Sequence, residues 1–467
     1  MSDERIKVNA AVNQLRKMGY QYNDAAQDII SVCDLWYTNQ ETEFHQRRNL
    51  NGIEIVLDSL NFAKRCCADD ANLCEVLEIN AGENAEMFQG VIDILNDNRF
   101  QTMYRKQLER LSAAGTVGAY LRLEGADILD NGKVRGGKIR INYINAAGIV
   151  PLTVVNDEIT ECAFIGRDLK AGKGVQTLVL FKLNENGLYT ARTYQYNDDG
   201  TMIGSDPQEI QLGDVKPFAI MRIAEVNNLA DMEGYGFPKL YTAIPVLKAL
   251  DLCWNILFGD LDKGEKLLFL NELLAEVKTD STGKPQMTRQ QKELFVLLGE
   301  KLPDQKTLIQ EYNPEIRATQ IREALELCLS LLSLSFGYGT KKYTFENNQI
   351  QTATEYIGER QDEMQELNKQ RHEARQYITD LVHAVMWFSN TFQGTSWPVD
   401  EEISIEFDDS FIIDKETQMA SMRQDALSFP DVPEFLIQYI MTRLNCERDE
   451  AVGYIQTPAP EIDEVED

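Results

Sequence analysis

Three histidines, His45, His372 and His383, are the only residues of that type able to act as a general base or metal ligand. His372 and His383 stand eleven residues apart in a segment with helical periodicity. That separation is about three turns, so the two rings share a face but lie too far apart to ligate one ion. We therefore expect structural roles for these histidines, either solvated or hydrogen-bonded.

The segment from Gly166 to Gly174 is the nearest approach to a phosphate-binding loop. Such a loop needs glycines that expose backbone N–H groups, a lysine for the β- and γ-phosphates, and a serine or threonine for magnesium. Here one residue too many separates Gly166 from Gly172, and Gly174 follows Lys173 where the hydroxyl belongs. The pattern predicts a loop between strands and no ATPase activity.

An acidic run near residue 405 could hold a metal ion for a nuclease; its members are Glu401, Glu402, Glu406, Asp408, Asp409 and Asp414. In a chain this acidic, such a run is more often a solvated edge. No nucleophile elbow and no Cys/His pair in a recognisable motif occurs. These patterns favour a structural protein without cofactor or metal, and they leave a metal-dependent enzyme open as the alternative.

Composition further narrows the classes of function that the chain could have. A formal net charge of −29 excludes a protein that grips nucleic acid through a basic face, because the chain repels phosphate. The eight cysteines are scattered and are expected to be reduced, small hydrophobic residues. The N-terminus lacks the apolar core of a signal peptide, which predicts a cytosolic protein. No stretch approaches the ~18 uninterrupted apolar residues of a membrane span, the longest candidate being Leu325 to Phe336.

The elements that must position any site form an α+β arrangement. The first ~115 residues are mostly helical. Helices are predicted after Asn23, near Ile53 to Cys74, Ala85 to Leu95 and Phe100 to Ala114. Period-two patterns then predict strands over 119–123, 138–144 and 177–181, and a hairpin whose strands, 189–196 and 202–203, flank Asn197 to Gly200.

Helical rhythm returns near Phe237 and again over Ile316 to Phe336, with a short strand between them at Lys266 to Leu274. Thr352 and Glu355 form a capping box, which opens a helix of about forty residues, ~60 Å long, that ends near Phe392. Further elements are a strand over 403–407, helices over 415–427 and 433–443, and an acidic tail over 458–467.

The order of these elements resembles the portal proteins of long-tailed phages and Gram-positive prophages. The sharpest segment is 313–355, which contains Pro314-Glu315-Ile316-Arg317, an apolar helix, a Gly-containing loop, Tyr343-Thr344-Phe345 and Thr352-Ala353-Thr354-Glu355. The segment 408–414 is also similar to the family's C-terminal region. The chain departs from the family at 428–431, where Ser-Phe-Pro-Asp replaces a Gly-(Ile/Val)-Ser run.

The resemblance implies a portal-like fold with a helical and β wing, a two-helix stem, a small α/β clip, a long kinked helix and a helical crown. The implied boundaries are wing 1–237, stem helices 238–264 and 314–336, clip 265–313, channel loop 337–351, long helix and strand returning to the wing 352–414, and crown with acidic tail 415–467.

It also implies a function: a non-enzymatic ring of about twelve subunits at one capsid vertex, through which double-stranded DNA is packaged and ejected. Implied partners are the terminase large subunit, the head-tail adaptor, the major capsid and scaffolding proteins, and DNA that passes non-specifically, with no membrane. The protein would lie in the virion, and in the host cytoplasm during assembly. The alternatives are another head connector or scaffold-like protein, or a metal-dependent phage head nuclease.

Residues are assigned to that function by position. The implied channel-loop residues are Gly337, Gly339, Lys341, Lys342, Tyr343, Asn347 and Asn348. Thr352 and Glu355 would cap the long helix, and Lys284, Arg289 and Lys292 would contact partners on the clip. Lys341 and Lys342 could touch phosphates briefly; as an equal alternative they are two solvated lysines.

Overall fold

The computed structural model describes the chain with gaps: residues 9–48, 52, 54–81, 85–128, 134–207, 209–264, 267–271, 281, 295–298, 309–312, 315–340, 342–344, 361–399, 402–407, 415–429, 432–444 and 448–456. Within these ranges the chain mixes helices with mainly antiparallel sheets. The predicted α+β class is therefore confirmed.

The N-terminal part is helical. Its helices are α1 (Asn9–Lys17), α2 (Asp24–Tyr37), α3 (Phe62–Ala71), α4 (Ala85–Asp97) and α5 (Phe100–Ala114). Asn23 caps α2 as its sequence predicts, because its side-chain oxygen accepts the Ala26 N–H at 3.0 Å. The single helix expected over 53–74 is wrong. That region begins with a short hairpin, β1 (Gln46–Arg48) and β2 (Glu54–Val56), and only then enters α3.

Two antiparallel sheets follow. Their strands are β4 (Thr116–Glu124), β7 (Lys138–Asn145), β8 (Ile149–Val155), β9 (Glu158–Lys170), β10 (Lys173–Leu183), β11 (Tyr189–Asn197), β12 (Ile210–Gln211) and β13 (Phe218–Arg222). One sheet has the order β12-β11-β10-β9-β8, the other β13-β4-β7. Two further short strands, β5 (Asp127–Ile128) and β6 (Val134–Arg135), pair with each other.

The glycine-rich segment expected as a loop lies mostly inside this sheet. Gly166 pairs with Thr177, and Lys173 pairs with Lys170 directly across the turn. Only Ala171 and Gly172 turn the chain, both with positive φ, 51° and 77°. A two-residue turn with both central residues left-handed matches the twist of an antiparallel ribbon. The segment is therefore a tight hairpin.

The two helices that the resemblance assigns to a stem form an antiparallel pair, α6 (Lys239–Lys263) and α7 (Ala318–Ser335). A bidentate ion pair fixes its far end: Arg317 Nη2 lies 2.7 Å from Asp260 Oδ1, and Arg317 Nε lies 2.9 Å from Asp260 Oδ2. Between the helices the chain forms the strands β14 (Leu267–Asn271), β15 (Phe295–Leu298) and β16 (Ile309–Tyr312). These pair in the order β15-β14-β16.

The C-terminal part begins with α8 (Gln361–Phe388), which continues as a π-helical turn over Ser389–Gln393. Strand β17 (Ile403–Phe407) then returns to pair with β3 (Val76–Ala81). The last helices are α9 (Lys415–Ser428), α10 (Pro433–Leu444) and α11 (Arg448–Gln456), the last of which the sequence had not indicated. The main core packs α8 against α5, α6, α7 and the β4 sheet.

Candidate functional site

The turn that ends helix α7 leads into the segment predicted as the channel loop, residues 337–351. The Gly337 N–H donates to Leu334 O at 3.1 Å, and the Tyr338 N–H donates to Ser333 O at 3.1 Å. This is the Schellman pattern, which needs a left-handed residue after the helix; Gly337 supplies it with φ 81°. The helix therefore stops at a fixed point, and the chain leaves it in a fixed direction.

Two tyrosines bind the start of the loop to α3. The Tyr338 hydroxyl donates to Asp70 Oδ1 at 2.6 Å, and the Tyr343 hydroxyl donates to Asp69 Oδ2 at 3.2 Å. The Tyr343 ring also meets Phe62 edge to face, with ring centroids 6.4 Å apart. Burial, together with the neighbouring carboxylates, raises the pKa of both tyrosines, so they stay protonated donors. Both Tyr338 and Tyr343, near the two ends of residues 337–344, are thus held on α3.

A buried lysine joins this anchor to α6 and α8. Lys239 is 2% exposed, and its Nζ lies 3.2 Å from Asp70 Oδ1 and 3.0 Å from Glu366 Oε1. Burial disfavours the charged amine, but the two carboxylates outweigh that effect and raise the pKa of Lys239. The first residue of stem helix α6 therefore carries a permanent buried charge that contacts both neighbouring elements.

Glu366 also shares a hydrogen bond with the carboxyl group of Glu225. Burial and this contact raise the pKa of Glu225, whereas Lys239 overcomes burial and lowers the pKa of Glu366. A proton taken up by this pair therefore goes to Glu225 before Glu366, which is the carboxylate that holds Lys239.

Lys342 is the one lysine of the predicted loop pair that the structure describes. Its ammonium forms an ion pair with Glu363 of α8 and lies 5.1 Å from the centre of the Tyr338 ring. Glu363 is 4% exposed, so this pair is shielded from solvent on one side. In this conformation the Lys342 ammonium is paired within the subunit, and its side chain is 25% exposed.

The other predicted residues fall into two groups. Gly339 is described and has φ 69°, so the loop needs a second left-handed glycine. The remaining positions, Lys341, Asn347, Asn348, Thr352, Glu355, Lys284, Arg289 and Lys292, lie outside the described residues. Of the acidic run, Glu402 and Glu406 are described. Among the described residues, no group of three or more His, Cys, Asp or Glu side chains could hold a metal ion.

A band of exposed apolar side chains lies on the far half of α6 and on the half of α7 that leads to Tyr338. Its members are Trp254, Ile256, Phe258 and Leu261 on α6 and Leu327, Leu331 and Leu334 on α7, with Phe258 56% and Leu327 62% exposed. The near half of α6 is instead buried, at Leu240, Ala243, Leu247 and Leu250. One face of the stem thus packs within the subunit, while this band, the stem band, is open to a partner.

Among the described residues, α6 is the one helix long and apolar enough to cross a membrane by length and composition. Its window Lys239–Asp262 has a mean hydropathy of 1.3, and a third of that window is buried. Helices in the core of other proteins meet the same criterion.

His45 links the N-terminal region to the middle of α6. Its Nδ1 lies 2.8 Å from Glu41 Oε2, and its Nε2 lies 3.0 Å from Asp251 Oδ2. Asp251 Oδ1 also accepts the Leu60 N–H at 2.8 Å. Burial disfavours the charged ring, but the hydrogen bonds to Asp251 and Glu41 outweigh it and raise the pKa of His45. The histidine is hydrogen-bonded, as expected, and it serves as a cationic bridge.

Sequence reasoning missed the most informative residue of the site, Lys239. In the sequence this residue follows Pro238 at the start of an apolar helix, and a lysine at that position gives the same pattern whether it is buried or exposed. One signal was available: a positive charge placed on the apolar face that runs through Leu240 and Ala243 demands a buried anion.

Comparison with known proteins gives limited similarity. The chain is similar to a chain in the neck of an empty GTA particle computed with C6 symmetry, at 10% identity and a TM-score of 0.39, covering 77% of this chain and 85% of that one. A chain in the neck of a native GTA particle computed with C12 symmetry is similar at 9% identity and a TM-score of 0.37, covering 85% and 89%. No family model matches the chain, and no curated protein matches it either.

Proposed function

We propose that the chain is the portal subunit of a tailed phage or prophage, a non-enzymatic protein that forms the ring through which double-stranded DNA enters and leaves the capsid. One observation carries this proposal: a helix hairpin exposes apolar side chains on both of its helices and leads into a loop that is held to the subunit by ion pairs, which include the buried Lys239 and Glu363. A hairpin of that kind suits side-by-side packing of identical subunits, with the loop directed by those ion pairs.

The exposed stem band supports the ring. Burying an apolar surface stabilises association by about 25 cal/mol per Å². The stem band of one subunit can pack against the stem band of its neighbour, or against the surface beside it. Closed rotational symmetry covers such a surface in every copy. About twelve subunits are proposed, each in contact with two others.

The charge suits a channel for DNA. A ring of about twelve chains, each with a formal charge of −29, carries a charge on the order of −350. A wall without a basic face makes few phosphate contacts, so the DNA is not held. Lys341 and Lys342 of the channel loop are proposed to touch phosphates transiently, which requires Lys342 to leave Glu363. The partners follow from this role: terminase, head-tail adaptor, capsid and scaffolding proteins, with the protein located in the virion.

Native mass spectrometry and negative-stain microscopy of the purified chain test the proposal. We expect one closed ring of about twelve subunits, with thirteen an acceptable outcome for recombinant protein. Phe258→Glu with Leu331→Glu should yield monomers, because each places a charge in the stem band. Val226→Glu is the matched control, since Val226 is 88% exposed outside that band. A wild-type monomer at micromolar concentration would refute the ring.

If the chain is instead another ring-shaped connector, it would form a similar ring but would occupy a different position in the particle. Immunogold labelling of virions would separate the two, because only a portal subunit occupies one vertex of the head shell. The nuclease alternative predicts metal-dependent cleavage of DNA, which the purified chain should not show.

A further inference from the structure

The short hairpin of β1 and β2, here called the arm, leaves both of its faces exposed. All three residues of β1 are exposed, and so are Glu54 and Val56 of β2, with Val56 71% exposed. Within the described chain the two strands pair only with each other. An isolated two-stranded hairpin is at best marginally stable in water. The arm therefore lacks the supporting surface that such a hairpin needs.

The base of the arm is fixed to the middle of α6. His45, directly before β1, is 8% exposed, and its Nε2 lies 3.0 Å from Asp251 Oδ2. After β2, the Asn255 side chain binds the backbone of Asp58 in both directions. Its Oδ1 accepts the Asp58 N–H at 2.9 Å, and its Nδ2 donates to Asp58 O at 2.8 Å. The arm thus starts from fixed contacts, although its strands are exposed.

These contacts place the base of the arm beside the stem band. Trp254 and Ile256 flank Asn255 in α6; they belong to that band and are 36% and 39% exposed. A copy that covers the stem band in the proposed ring therefore comes within reach of the arm.

The charge of the arm is opposite to that of the whole chain. Its strands carry two arginines, Arg47 and Arg48, and one glutamate, Glu54, whereas the chain has a formal net charge of −29. Arg48 lies 2.9 Å from Glu54, in a pair whose side chains are 72% and 74% exposed, so the pair contributes little. Arg47 is exposed and makes no ion pair with the described residues. Its charge complements that of a second copy of this chain.

We propose that the arm is an intersubunit contact, which packs on the surface of a neighbouring copy of this chain next to the stem band. The inference rests on the proposed function and names a contact by which one copy recognises the next. Packing on the neighbour buries one face of the hairpin and sets Arg47 against an acidic surface. The arginine then fixes the register of a contact whose affinity comes mainly from apolar burial.

Site-specific photo-cross-linking of the full-length chain tests the contact. Benzoylphenylalanine at position 56, in place of the exposed Val56, should give covalent dimers and higher multimers on a denaturing gel after irradiation. Mass spectrometry of the dimer then locates the peptide on the second copy. The matched control carries the same probe in place of Val226, which is 88% exposed outside the arm and the stem band. It should give few such dimers.

A charge reversal gives a second measurement. Arg47→Glu should raise the protein concentration needed for assembly several-fold at about 0.1 M salt and less at about 1 M, because it sets an anion against an acidic copy. Lys173→Glu makes the same kind of charge change at another exposed hairpin and should have a smaller effect. Equal effects of the two substitutions would mean that net charge, and not the arm, is responsible, and would count against the proposal.

Native mass spectrometry of the same samples separates the arm contact from the ring. Rings in which the probe at position 56 links copies no more often than the probe at position 226 would overturn the inference and leave the portal proposal standing. Dimers linked through the arm in a sample without closed rings would support the arm contact and contradict the portal function. Monomers throughout, with no link between copies from either probe, would contradict both.

Discussion

The hydroxyl of Tyr338 donates a 2.6 Å hydrogen bond to Asp70, 268 residues earlier in the chain. The same carboxylate oxygen accepts from Lys239, so one atom joins the end of one stem helix to the start of the other. The start of the predicted channel loop is therefore tied to α6 through Asp70 and, through Lys239 and Glu366, to α8.

Lys239→Met should destabilise the fold by about 3 kcal/mol at pH 7, because Asp70 and Glu366 would remain buried without a cation. Urea unfolding followed by circular dichroism measures the loss. Lys369→Met is the matched control, because Lys369 pairs with the same Glu366 but is 59% exposed. It should cost less than about 0.5 kcal/mol. Equal losses in the two variants would mean that burial of Lys239 adds nothing.

Gly337→Ala tests the Schellman turn. Alanine there must adopt a left-handed backbone, which costs about 1 kcal/mol, and its Cβ would lie 3.3 Å from Glu366 Cγ. Gly394→Ala shares the backbone cost, with φ 78°, but its Cβ would meet nothing within 4 Å. Thermal unfolding should show a larger loss for Gly337→Ala. An equal loss of thermal stability in the two variants would mean that backbone strain accounts for the whole effect.

Glu363→Gln should release Lys342 and make the channel loop easier to cleave, since a neutral amide holds the ammonium less strongly. Limited proteolysis within 337–351 should be several-fold faster than in wild type.

In a packaging assay, Lys341→Glu with Lys342→Glu should leave rings intact and reduce the nuclease-protected DNA per capsid. Wild-type DNA content in that double variant would remove both lysines from the mechanism.

His45 should make stability depend on pH. Its pKa is raised in the folded state above the unfolded value near 6.5. The stability that it contributes is therefore fully present below pH 6.5 and is lost as pH rises through the folded pKa. The difference in unfolding free energy between wild type and His45→Gln should be larger at pH 6 than at pH 9. A difference that grows with pH would show that the ring is held neutral.

Local signals predicted the local parts of this structure. Asn23 marked a helix start because its side chain caps the helix that follows it, and the alternation over 138–144 marked a strand because one side of it is buried. The region after Ile53 was misjudged because three-residue strands are too short to establish a period. The apolar face around Lys239 indicated a buried anion, but it could not identify Asp70 and Glu366, because both come from distant segments.

The stem band has a consequence for handling the protein in solution. In the proposed ring the stem bands of neighbouring copies meet on chains that each carry a formal charge of −29, so short-range apolar attraction would oppose long-range repulsion. Salt weakens only the repulsion, because the Debye length falls from about 30 Å at 0.01 M to about 10 Å at 0.1 M. We therefore expect self-association to depend on ionic strength. In dilute buffer the repulsion between chains should keep them monomeric, and added salt should allow the apolar helices of different copies to pack together.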